Sequence, residues 1–87
     1  MVFKVFVVYD SKVEAYSSPF LLTTVGQAVR SWVDVVNDPQ TQFAMHPEDY
    51  TLFEIAEYDD QTGLYNNLKA HISHGTALEY RREVKGK

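Results

Sequence analysis

The sequence predicts an α+β fold: a small antiparallel sheet of about four strands packed on one main helix over about residues 24–37. Three observations lead there. Residues 2–9 and 50–58 alternate β-branched and aromatic side chains in the manner of strands, and residues 25–36 repeat their apolar positions with a helical period. Short turn-forming clusters at 10–12 and 59–63 then return the chain on itself.

Val2 to Tyr9 places Phe3, Val5, Val7 and Tyr9 on one face and Val2, Lys4, Phe6 and Val8 on the other. Both faces are largely apolar, so this strand should be central, covered on both sides or covered on one and paired with another subunit on the other. Asp10-Ser11-Lys12 supplies a turn, because Asp and Ser side chains bond nearby backbone amides. Val13 to Leu22 returns as a second strand, interrupted near Ser17-Ser18-Pro19, since proline cannot donate to a ladder.

Thr24-Val25-Gly26-Gln27 matches the capping box, in which hydroxyl and amide satisfy free backbone N–H groups at a helix start. Val25, Ala28, Val29, Trp32, Val33 and Val36 then share one stripe, with Arg30, Ser31 and Asp34 away from it. The helix should stop by Asn37-Asp38, because Pro39 disfavours helical geometry in its predecessor. Gln40 to Asp49 reads as a loop with one helical turn through Phe43, whose ring anchors it.

Tyr50 to Tyr58 reads as a strand with Thr51, Phe53 and Ile55 opposing Tyr50, Leu52, Glu54 and Ala56. Asp59 to Gly63 is a hairpin loop closed by a glycine suited to positive φ, and Leu64 to Asn66 begins the return. Past Leu68 the period weakens: Leu68 to Ile72 reads as extended, and Thr76 to Val84 has a helix-compatible composition. Trp32, Val29, Val36, Phe3, Val5, Val7, Phe53 and Ile55 are the expected core of a single domain, residues 1–84, with 85–87 a frayed basic end.

At 87 residues the chain makes one small domain, which buries only roughly 60–65% of the surface its unfolded form exposes and would gain from self-association. With no cysteine, disulfides and thiolate metal sites are excluded. The apolar run Val5 to Val8 is far short of the ~20 residues of a membrane span, so no membrane association is expected. Net charge is -4, but Arg81, Arg82, Lys85 and Lys87 hold half of the eight basic residues. Residues 1–80 carry four basic and eleven acidic side chains, a difference of -7.

Motifs for catalysis are lacking. The four glycines are too dispersed for a dinucleotide or phosphate loop, and no serine sits in a nucleophile elbow. His71 and His74 have a spacing that would serve a metal on a helix, but they lie in an extended segment without a third ligand, and His46 reads as bonding loop backbone. Glu54, Glu57, Asp59 and Asp60 read as a solvated acidic end of a strand and hairpin. No enzyme, cofactor or metal is expected. Function is sought instead in tyrosines beside cations, because single strands bind by stacking bases on aromatic rings along a basic track. The candidate set is Lys12, Arg30, Arg81 and Arg82 for phosphates and Tyr16 and Tyr80 for stacking.

Several blocks occur in a fixed order: Tyr9-Asp10-Ser11-Lys12 with Glu14-Ala15-Tyr16, Pro19-Phe20, Gly26-x-Ala28-x-Arg30, Asn37-Asp38-Pro39 through Phe53, and Asp59-Asp60-Gln61-Thr62-Gly63. In these the chain resembles the small nonstructural protein of gokushoviruses, the single-stranded DNA phages of the Microviridae; the match is less clear after Asn66. Members of that family are described as DNA-binding or as counterparts of the microvirus protein C, associated with the switch to single-stranded genome synthesis and packaging. The resemblance implies a non-catalytic phage accessory protein that binds single-stranded DNA in the host bacterial cytoplasm. The alternative is a protein-interaction module that recruits or scaffolds the replication initiator or procapsid through its acidic surface. A homo-oligomer, dimer or larger, would gather several copies of the cations along one groove.

Overall fold

The computed structural model describes residues 1–82, so the basic end at 85–87 lies outside the described residues. The chain runs β1 (Val2–Asp10), β2 (Ala15–Tyr16), β3 (Phe20–Leu22), α1 (Val25–Val36), α2 (Gln42–Met45), a 3-10 turn (Pro47–Asp49), β4 (Tyr50–Asp59), β5 (Leu64–Thr76) and α3 (Ala77–Tyr80). All strand pairs are antiparallel. β1 lies between β4 and the two short strands β2 and β3, and β5 pairs with the far side of β4. The described residues form five strands because the break at Ser17-Ser18-Pro19 divides the second one, and both pieces pair with β1.

α1 begins as its sequence dictates. The Thr24 side chain accepts from the Gln27 amide at 3.1 Å, and the Gln27 side chain accepts from the Thr24 amide at 3.3 Å. It ends at Asn37, whose side-chain amide donates to the Val33 carbonyl at 2.8 Å. Ala28, Trp32 and Val36 are driven against Phe6, Val8, Tyr50, Leu52 and Ala77 to form the core. Phe43 of α2 does anchor its loop, edge-on to Trp32 at 5.2 Å and to Tyr50 at 4.8 Å.

The helix covers the Phe6 and Val8 face of β1, not the face of Phe3, Val5 and Val7. Val5 and Val7 are still buried, but Phe3 and Phe53 are only half-buried on the opposite side, Ile55 is half-buried as well, and Val29 sits half-buried at the margin of the helical stripe. The reason is that β1 is apolar on both faces, so alternation alone does not choose between them; β4 chooses, by presenting Tyr50 and Leu52 to the helix. α1 is twelve residues, about 18 Å at 1.5 Å per residue. β4 is ten residues, about 33 Å long, so the helical layer covers roughly half the sheet's length.

A bulge alters the faces of β4. Phe6 pairs with Glu54 and Val5 with Ala56, which leaves Ile55 without a partner on β1. Phe53 therefore pairs with Val7 and Tyr58 with Phe3, on one face, although five residues separate them in an otherwise alternating strand. β5 slips further: Glu54 pairs with Ile72 and Ala56 with Asn67, so residues 68–71 are looped out of the ladder. The weak period after Leu68 has this cause. The hairpin between β4 and β5 closes as expected, with Gly63 at φ 73° and its amide on the Asp59 carbonyl at 2.7 Å.

Candidate nucleic-acid interface

The sheet face away from α1 is aromatic, and open to solvent at Tyr16 and Tyr65. Tyr16 of β2 lies 4.7 Å from Tyr9, 6.3 Å from Phe53 and 5.6 Å from His71, measured between ring centroids. Tyr9 and Phe53 are in turn 6.5 Å apart, and Phe53 and His71 6.1 Å. A second group stands further along, where Tyr58 and the paired Tyr65 approach to 4.9 Å. Val5, Val7 and Ala56 form the floor between the groups. Among the described residues, no Asp, Glu, Lys or Arg occupies a paired position on this face.

Of the six residues expected at the site, Tyr16 lies on this face and Lys12 in the turn that leads into its strand. Lys12 sits in the turn joining β1 to β2, held by its amide on the Asp10 carboxylate at 2.9 Å, and its side chain is exposed beside the Tyr9 and Tyr16 end of the sheet. The other four lie elsewhere. Arg30 is exposed on α1, across the sheet from Tyr16. Arg81 is half-buried with its guanidinium 3.5 Å from the Val36 carbonyl, where a cation complements the C-terminus of α1. Arg82 is exposed, and its amide is tied to the Asn37 side chain at 2.7 Å. Tyr80 is half-buried against the core; its hydroxyl donates to the His74 carbonyl at 2.9 Å.

Sequence reasoning missed Tyr9, Phe53, Tyr58, Tyr65 and His71. Alternation was signal enough for Tyr9 and Phe53. Tyr58 needs the bulge to reach that face, and His71 lies in the looped-out part of β5.

His71 and His74 diverge rather than share a ligand. His71 joins the aromatic group, whereas His74 lies on the helical side, its Nε2 3.0 Å from Glu54 and its ring 6.0 Å from Phe6. Glu54 is not solvated as expected: it is 5% exposed and also meets Lys4 at 3.5 Å. Its position two residues from Leu52 on the helix-facing alternation is the reason. His46 contributes backbone, donating to the Gln42 carbonyl and accepting from the Asp49 amide. One ligand atom each from His46, Glu48 and Asp49 falls within 4.8 Å, an exposed acidic cluster of a common surface kind.

Two groups are electrostatically marked. Burial, followed by the nearby Asp10 and Asp49 carboxylates, pushes the Tyr50 hydroxyl above its usual value; that hydroxyl donates to Gln42 at 3.0 Å. The N-terminal amine is raised by its hydrogen bond to Asp60 at 2.8 Å. On the helical side an apolar groove of about 370 Å³ lies among Trp32, Phe20, Phe43 and Val35, with Ser17, Ser18 and Ser31 at its edge. No helix among the described residues is long and apolar enough to cross a membrane.

Neither a search of curated proteins nor one of solved structures finds a match to the chain. A family model does: that of the Phage ORF5 protein matches residues 3–79, which take in the sheet except Val2 and the helices except Tyr80. With that coverage, the chain belongs to the bacteriophage family of the Phage ORF5 protein.

Proposed function

We propose that this phage protein is a non-enzymatic accessory factor, of the gokushovirus nonstructural kind, that binds single-stranded DNA during genome replication or packaging in the host cytoplasm. The observation that carries the reading is the face on which Tyr16, half exposed, stands among Tyr9, Phe53 and His71, with Lys12 exposed in the turn before it. Unpaired bases stack on such rings; a duplex keeps its bases inside. The acidic body works against phosphate binding in general and confines favourable contact to this face and to the cations.

A second reading, docking of another copy or of a phage replication or procapsid protein, is supported by the lack of charge at the paired positions of the same face. Charge-poor, aromatic-rich centres are typical of protein interfaces. A mobility-shift titration with single- and double-stranded oligonucleotides over a salt series separates the two. Preferential, salt-sensitive retention of the single strand is expected. If no oligonucleotide is retained while sedimentation equilibrium shows self-association, the second reading replaces the first.

A further inference from the structure

The geometry points to two separate base-stacking stations on the aromatic face, one at Tyr16 and one at Tyr65, which hold two non-adjacent bases of one strand. This inference rests on the single-strand reading above and adds where, and by what force, the strand is held. Tyr16 and Tyr65 are 50% and 60% exposed, the most accessible aromatic rings of the described residues. Each is braced by a ring beneath or beside it: Tyr16 by Tyr9 at 47° between planes and by His71 at 86°, Tyr65 by Tyr58 at 46°. A braced ring has already lost the rotamer freedom that stacking would otherwise cost.

The ground between the stations is closed to solvent. Val5, Val7 and Ala56 are 2%, 3% and 2% exposed, short side chains covered by their neighbours. Phe53, which touches Tyr16, and Tyr58, which braces Tyr65, pair with Val7 and Phe3, four residues apart on β1, about 13 Å at 3.3 Å per residue. Neighbouring stacked bases are only about 3.4 Å apart, so the two rings take bases with others between them. What the face exposes most is polar-tipped: two tyrosines, the imidazole of His71 and the amide of Asn67, with Val5, Val7 and Ala56 covered and Leu21 half-buried. That suits the edges and faces of bases better than the apolar side chains of a protein.

With no charge at the paired positions, affinity here comes from stacking, and Lys12, exposed in the adjoining turn, is a cation available to a phosphate. The test is a fluorescence-polarisation titration of the full chain with a labelled eight-nucleotide oligothymidylate across a salt series. Both tyrosines are exposed, so alanine leaves the core intact, and circular dichroism checks the fold. Tyr16→Ala and Tyr65→Ala are each expected to weaken binding by about 5- to 150-fold, the loss of one stacked base, at every salt concentration. Tyr16→Phe and Tyr65→Phe retain the ring and should bind within a few-fold of the parent. Lys12→Ala should lower the slope of log affinity against log salt by about 0.7, and Arg30→Ala should leave it unchanged.

If the oligonucleotide binds but both alanine variants bind as tightly as the parent, the stations are refuted while the DNA-binding reading stands. Loss at Tyr16 without loss at Tyr65 refutes the two-station arrangement. If the parent chain itself fails to bind, the functional reading falls with it. Alanine variants that shift the sedimentation coefficient but not DNA affinity would give the face to a second copy.

Discussion

Glu54 shows what a single side chain costs and contributes in a small core. Its carboxylate is nearly out of water, so each donor it keeps matters: His74 at 3.0 Å, with 17% of that side chain exposed, and Lys4 at 3.5 Å, a third exposed. Leaving a buried acceptor short of its partner costs about 1–3 kcal/mol, so His74→Ala should destabilise by that amount in urea unfolding. Lys4→Ala, at a longer and wetter contact, should cost less than about 1 kcal/mol. Tyr50 sets a second expectation. Its folded-state hydroxyl holds its proton above the usual tyrosine value, so the stabilisation from the neutral form is complete below pH 10 and fades as pH climbs through the raised value. Tyr50→Phe should lose about 0.5–1.5 kcal/mol near neutrality with the bond to Gln42, and unfolding curves taken at rising alkaline pH should show the gap to the parent narrowing.

Elements were legible where their causes are local. Thr24 and Gln27 announce the start of α1 and Pro39 its end, and the structure follows both; Thr24→Ala should therefore cost about 1 kcal/mol by chemical denaturation. The β1 to β2 turn was readable from Asp10-Ser11-Lys12, because the Asp10 side chain that holds it is local to the turn. Tyr80 and Arg81 were not readable in this way. Their surroundings depend on α3 lying against the end of α1, through Asn37, whose side chain also donates to the Tyr80 carbonyl at 3.0 Å. β5 was underestimated because its residues 68–71 leave the ladder, and a strand that loses its period looks like a loop. Gly75, next to the last residue of that strand, has φ 108°, and a Cβ there would come 2.7 Å from Tyr80 Cε2. Gly75→Ala should cost about 1–3 kcal/mol by the same measurement, from backbone strain together with a displaced ring.

The whole molecule is long, 51 × 25 × 19 Å, and its two ends are held differently. Near α1 the sheet is sealed by Trp32, Val36 and Leu52; past the bulge, Ala56 to Asn67 forms a hairpin arm beyond the reach of the helix. Local opening is easiest where few apolar contacts are lost. Amides of Tyr58 to Asn66 should then exchange with solvent measurably faster than those of Phe6 to Val8 and Leu52, in native-state hydrogen exchange. Equal protection along β4 would mean that the arm is held by something besides its own hairpin, such as a second copy.

Ile55 makes this sheet unusually indifferent to one kind of genetic accident. Because the ladder to β1 steps from Glu54 to Ala56, the chain carries there a residue that the pairing does not count. Deleting it joins two neighbours that already face opposite sides, so every later side chain keeps its side of the sheet, and the main change is a loss of local bend and twist. Deleting Phe53 instead would exchange inside for outside along part of the strand. The variant lacking Ile55 should fold, with Tyr58 and Tyr65 still beside one another but aimed differently relative to Tyr16. A chain that tolerates loss at one strand position and not two residues earlier would reveal, by survival alone, where its sheet was counted twice.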